Sequence, residues 1–187
     1  NAEAIKKATF PGLTSSHHIH HMAAKAITFA EALEFGKDYA DQTIKNAKAL
    51  AVALNDLGFK VLGEKKGFTQ SHQAVVNVLD YGDGGKIEAD LEKANIIVNR
   101  QLIPGDIKAK RHYMHPGGIR LGSSEVTRLG MKESEMQQIA SLIKQVVIDQ
   151  KDPKEVIEQV MELRKSYQKT QYCFDNKLGA YEYVKLR

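Results

Sequence analysis

The 187-residue chain holds one cysteine, Cys173. A disulfide framework is therefore excluded, and such sparse thiol usage fits a reducing cytoplasm. No apolar run approaches the roughly 20 residues that a bilayer-spanning helix needs, and the segment from Asn1 carries no signal-peptide pattern. A membrane is not an expected partner. Blocks of like charge are also lacking: the net charge of +4 comes from 27 basic and 23 acidic residues interleaved along the chain. Such interleaving is the mark of solvated helix faces with i,i+4 pairs, and it argues against a nucleic-acid surface. There is no internal repeat. With 42% hydrophobic residues the chain can bury one good core plus an appended segment, and its composition is not that of a disordered protein.

What the chain does have is one arginine in an unusual setting, Gly117-Gly-Ile-Arg-Leu-Gly-Ser123. Apolar neighbours flank Arg120 and small residues lie beyond them, the pattern of a short half-buried strand whose alternation turns the arginine away from Ile119 and Leu121. An arginine so placed can grip a carboxylate through two parallel N–H bonds, a geometry that lysine does not reproduce. A solvated surface residue or a structural ion pair is the competing reading.

Around it the periodicities give an order of elements. His20 to Leu57 has apolar positions at helical spacing with alanines at close contacts, and Phe35-Gly-Lys marks an expected break between two helices. Gly58-Phe-Lys-Val-Leu62 opens a strand and Gln73 to Leu79 is a second one, almost continuously apolar. Tyr81 to Gly85 is a turn, Lys86 to Ala94 a helix, and Ile96-Ile-Val98 a strand, followed by a loop and the Arg120 strand. Lys132 to Ile148 and Pro153 to Tyr167 are amphipathic helices, the second with Asp152 as N-cap and Pro153 in its first turn. The result is an α+β domain, an antiparallel or mixed sheet covered by helices, preceded by a long helical connector. The tail from Thr170 has no clear period and carries Tyr172, Phe174, Tyr181 and Tyr183.

Four histidines, His17, His18, His20 and His21, fall at the start of the connector. His17 and His21 are i,i+4 and share a helix face, as paired metal ligands do. Against a metal stands the absence of a glutamate at position 18 and of an obvious third ligand, so structural histidines remain an alternative and no metal is expected.

Five motifs, in order, carry a resemblance. They are Thr9-Phe-Pro-Gly-Leu-Thr-Ser-Ser-His-His-Ile-His-His-Met-Ala-Ala-Lys-Ala26, Lys45-Asn-Ala-Lys-Ala-Leu-Ala51, Val98-Asn-Arg-Gln-Leu-Ile-Pro-Gly-Asp106, Gly118-Ile-Arg-Leu-Gly122 and Thr127-Arg-Leu-Gly-Met131. Over residues 9 to 165 the chain resembles the C-terminal part of serine hydroxymethyltransferase, in its archaeal form, the pyridoxal-phosphate enzyme that interconverts serine and glycine with a reduced pterin as one-carbon carrier. The resemblance implies the small C-terminal domain of a fold-type I enzyme, a homodimer, and pyridoxal 5'-phosphate as cofactor. It also divides the chain: residues 1–57 are the end of the cofactor-binding large domain with the interdomain helices, 58–169 the small domain, and 170–187 a tail. In that family the cofactor lysine lies in a Thr-rich segment ending His-Lys, upstream of Phe-Pro-Gly, and no such segment stands between Asn1 and Thr9. The expectation is a fragment without the Schiff-base lysine, hence without a catalytic residue of that kind, and inactive alone.

The resemblance also implies roles. Arg120 aligns with the arginine that binds the substrate carboxylate. Thr14, Ser15 and Ser16 stand where the family has Gln-Gly-Gly, in a turn whose amides reach the cofactor phosphate of the neighbouring subunit; Ser15 and Ser16 are the expected phosphate contacts, since helix starts favour anions. Arg100 and Gln101 replace a lysine and an asparagine near the pterin, and the loop from Ile107 to Gly117 is longer than its usual counterpart. These departures point to the pterin side, with tetrahydrofolate or tetrahydromethanopterin as the carrier. Arg128 reads equally well as a surface ion pair. Two other readings stay open: another fold-type I enzyme acting on small amino acids, and a stand-alone binding module that dimerises through the connector.

Overall fold

The computed structural model describes residues 1–177 and Gly179. A short helix α1 (Ala2–Ala8) and a wide turn over Thr9–Leu13 lead to α2 (Ile19–Asp56). At 38 residues and 1.5 Å per residue, α2 is about 57 Å long. The break expected at Phe35-Gly-Lys does not occur. A glycine inside a helix costs only about 1 kcal/mol relative to alanine, and no proline interrupts the ladder here. Burial begins only in the C-terminal part of α2, at Thr43, Asn46, Ala47, Leu50, Ala51 and Leu54, a 3/4 spacing that puts one stripe on the core.

Helix α2 stops at a Schellman motif. Gly58 is left-handed (φ 97°), the Gly58 N–H donates to Asn55 O, and the Phe59 N–H donates to Leu54 O, which satisfies carbonyls that a helix end would otherwise leave free. Because Gly58 and Phe59 are occupied in this way, the first strand shrinks to β1 (Lys60–Val61). A 3₁₀ turn (Glu64–Lys66) and β2 (Gln73–Asn77) follow, then α3 (Gly84–Lys93), β3 (Asn99–Gln101), β4 (Gly118–Gly122), α4 (Ser124–Arg128), α5 (Glu133–Val147) and α6 (Pro153–Lys165).

The strand expected at residues 96–98 lies three residues later. Asn95 is left-handed (φ 60°), and the N–H groups of Asn95 and Ile96 close the end of α3 on Glu92 O and Leu91 O, so pairing starts only beyond them. The four strands run β1-β2-β4-β3, each pair antiparallel. Opposite residues share a face: Ala74 meets Leu121 and Val76 meets Ile119 on the core side, while Val75 meets Arg120 and Asn99 meets Arg120 on the other. Among the described residues, helices cover the core side only, with Leu54, Ile87, Leu91, Ile119, Met136 and Ile143 essentially inaccessible. At the start of β4 the backbones crowd, since a Cβ on Gly118 would lie 2.4 Å from Ile103 Cγ2 and 2.8 Å from Val76 O; only glycine fits there.

Asp152 caps α6 as expected, its side chain accepting from Lys154 N. Part of the tail is tied down. Gln171 N donates to Arg128 O, and Tyr172 and Phe174 lie against Tyr39 and Phe35 of α2. Tyr181 and Tyr183 lie outside the described residues. Among those described, no helix is long and apolar enough to cross a membrane.

Candidate functional site

The alternation of β4 buries Ile119 and Leu121 and leaves Arg120 half-exposed on the uncovered face of the sheet. What lies next to that guanidinium sets it apart. Its hydrogen bond is to a neutral group, Nη2 donating to Asn99 Oδ1 at 3.3 Å. Three other arginines are matched by carboxylates: Arg100 by Glu88, Arg111 by Asp106 at 3.5 Å, and Arg128 by Glu31 at 3.1 Å. Among the described residues Arg120 is thus oriented by an amide rather than paired with an acid, with N–H groups to spare. Nothing local in the sequence marks Asn99; its place opposite Arg120 comes from the β3–β4 register.

Arg100 and Gln101 are separated by the pleat. Gln101 pairs with Gly118 and so shares the Arg120 face, where its amide donates to Leu102 O at 3.0 Å. Arg100 pairs with Ile119 and points the opposite way, to Glu88 on α3 and to Met114 O at 3.4 Å. The loop between β3 and β4 is held shut by Asp106, 2% exposed, whose Oδ2 accepts from Ile103 N at 3.0 Å and Gly117 N at 2.7 Å. His115 at its far end reaches Asp83, the N-cap of α3, at 3.2 Å. The Asp83 carboxyl lies below its ordinary value, first because the Lys86 N–H donates to it, and further because of His115.

Ser15 and Ser16 are exposed just before α2, with Ser16 left-handed (φ 51°). His18, the N-cap, offers no side-chain cap, so the first N–H groups of α2 have no intrahelical acceptor and face outward, a setting that suits an anion. Ser15, Ser16, His17, His18, His21 and Lys25 line a shallow depression there of about 450 Å³. The expected pair His17 and His21 is not what the fold brings together. Instead His18, His20 and His21 have ligand atoms within 4.8 Å of one another, and their described contacts are with each other's rings. All three are exposed at the positive end of a helix, where a cation is disfavoured. The Ser15–Ser16 depression and the Arg120 face belong to different parts of the fold, the first at the start of α2, the second on the sheet beyond its far end.

An α+β unit with a helix-backed antiparallel sheet, a long connector and an unmatched arginine on the open face is the small-domain architecture of fold-type I pyridoxal-phosphate enzymes. A solved structure supports that class: L-threonine transaldolase from Pseudomonas fluorescens, in its internal aldimine state, superposes with a TM-score of 0.77 at 34% identity, covering 90% of this chain and 38% of that one. The chain belongs to the serine hydroxymethyltransferase family, whose family model matches residues 1–143. It is 77% identical over 185 residues to the serine hydroxymethyltransferase of Nitrosopumilus maritimus, covering 99% of this chain and 42% of that protein. It is 72% identical to that of Cenarchaeum symbiosum over all of this chain and 42% of the relative, and 49% identical to that of Methanopyrus kandleri over 99% and 43%. The chain therefore spans under half the length of the curated relatives it matches.

Proposed function

We propose that these residues form the C-terminal part of a cytoplasmic, homodimeric serine hydroxymethyltransferase, which interconverts serine and glycine and passes the one-carbon unit to a reduced pterin. The domain division proposed is residues 1–57 with the large domain, 58–169 as the small domain and 170–187 as a tail. The observation that carries this reading is Arg120: a half-exposed guanidinium on the sheet's open face, held by the neutral Asn99 amide. Such a group binds an anion without first breaking an internal ion pair, and the fork matches an α-carboxylate through two N–H bonds.

The residues present fit pyridoxal 5'-phosphate at the start of α2. Ser15 and Ser16, with the free N–H groups that follow, would hold the phosphate of the cofactor bound in the neighbouring subunit. The chain covers 42% of the length of its relatives, so the activity proposed is that of the whole protein. When bound, the cofactor supplies an electron sink for the pair released at the substrate's α-carbon. The chain's own contribution is orientation. With its carboxylate fixed by Arg120, the substrate has one bond at the α-carbon held in the direction from which it breaks, and fixing that geometry removes an entropic part of the barrier. Gln101, on the same face, is proposed to meet the pterin with its amide, and Arg100, anchored by Glu88, to support the rim of that side. The carrier is tetrahydrofolate or tetrahydromethanopterin.

The test is Arg120→Lys in the full-length enzyme. Lysine keeps the charge and loses the fork, so one charge-assisted bond of about 1.5–3 kcal/mol goes. The expected loss is about one to two decades in kcat/KM for serine, with cofactor affinity retained. Serine kinetics within about twofold of wild type would return Arg120 to a structural role.

A further inference from the structure

Where α2, β2 and β4 converge, the core contains a polar chain that the chemistry above does not use. Ser123, the residue immediately after β4, is 1% exposed. Its N–H donates to His72 O at 2.9 Å, next to the first residue of β2, and its hydroxyl donates to Thr43 O of α2 at 2.8 Å. Thr127, fully buried, donates through Oγ1 to Ser123 O at 2.7 Å. Asn46, also fully buried, donates through Nδ2 to Thr127 Oγ1 at 2.8 Å and to Met131 O at 2.9 Å, while Gln42 donates to its Oδ1 at 2.9 Å.

This chain fixes more than general stability. Ser123 ties the end of β4 to the beginning of β2, where Gly122 pairs with Gln73, and that pairing sets the register that places Arg120 opposite Val75. The side-chain period of a strand is two residues, so a slip by one would turn Arg120 into the core and Ile119 outward. The β2–β4 ladder is short, five pairs, and Gly122, at the end next to Ser123, contributes no side chain to specify register.

We propose that Asn46, Ser123 and Thr127 are positioning residues for the Arg120 guanidinium: a buried hydrogen-bonded clamp, anchored on the connector helix, that holds β4 in the register and tilt with which Arg120 meets the substrate carboxylate. This rests on the carboxylate reading of Arg120 above. The clamp couples the connector to the sheet's open face, so the geometry of amino-acid binding is set partly from α2.

The experiment uses the full-length holoenzyme and two ligands: glycine, and methylamine, which is glycine without its carboxylate. Both are followed by the absorbance of the bound cofactor. Thr127→Val keeps the shape and removes the hydroxyl. It is expected to weaken glycine about tenfold, equivalent to about 1.4 kcal/mol, and to leave methylamine within about twofold. Thr127→Ser, which restores the hydroxyl, should bring glycine back near wild type. If Thr127→Val does not fold, Ser123→Ala, a smaller deletion in the same chain, takes its place with the same expectation. Equal weakening of both ligands, or none of either, overturns the proposal and leaves the clamp a stability element. Arg120→Lys run in parallel separates the two ideas. If it weakens glycine selectively while the clamp variants do not, the clamp alone is refuted; if it has no effect on glycine, the carboxylate reading falls and the clamp proposal with it.

Discussion

Single side chains here are held by neighbours of matched charge or hydrogen-bonding capacity, and Asp83 shows how such a match becomes a pH dependence. Its carboxylate caps α3 by accepting from Lys86 N at 2.9 Å, and its carboxyl is held below the ordinary value of 3.8. A group with a depressed folded value contributes stability that is present above the unfolded value and lost as pH falls through the folded one. Asp83→Ala should therefore cost about 0.5–2 kcal/mol at neutral pH, the usual worth of an N-cap. That difference should shrink as the pH drops below 3.8. Urea unfolding of both proteins across pH 3–7 checks it, and a gap that stayed constant would mean the cap acts without its charge. Arg120 is the opposite case, its usefulness lying in what it does not neutralise. The sequence showed that it would face away from Ile119 and Leu121, but not that Asn99 would be the group beside it, since that depends on which strand pairs with β4.

Among the elements, α2 departs most from sequence expectation. Gly36 marks the predicted break, yet the helix runs through it. A Cβ built at Gly36 meets only the Ala32 Cβ at 3.9 Å, which is ordinary contact. Gly36→Ala should thus stabilise the protein by about 0.5–1 kcal/mol through the unfolded state's lost freedom. A higher urea midpoint with an unchanged m-value is the expected result; a lower one would show that the helix bends there in solution. The strand boundaries differ from the sequence expectation for another reason. Their apolar residues were legible, but Gly58 and Asn95 commit the following residue to a helix cap, and that cost β1 its beginning and moved β3 by three positions. Helix α4, five residues between a strand and a glycine turn, is too short to show a period, and so the Asn46–Thr127–Ser123 chain it helps to build was invisible beforehand.

For the molecule as a whole, the two ends of α2 have different surroundings. Its C-terminal part is packed against α5, while in the N-terminal part Leu33 is 90% exposed and Ile19 is 74% exposed. Phe29, Ile27 and Met22 are likewise exposed. Apolar area of this extent seldom stays bare on a monomer. The 187-residue polypeptide is therefore expected to self-associate, and sedimentation velocity over a concentration series should show a mass that rises with concentration; a concentration-independent monomer would contradict this.

Local chemistry along the chain was enough to place the α+β class, the helix periods, the Asp152 cap, the outward turn of Arg120 and the family, because each rests on residues close together in sequence. It did not place Asn99 beside Arg120, the division of Arg100 and Gln101 between opposite faces, or the meeting of Asn46 with Thr127 across 81 residues. Those contacts follow from strand order and register, which are fixed by long-range packing of the core against α2 and α5. The histidines make the same point from the other side. Their spacing suggested His17 with His21, but the non-helical backbone at His18 brings its ring to His20 and His21 instead, and a helical period cannot be extended past the residue where the helix starts.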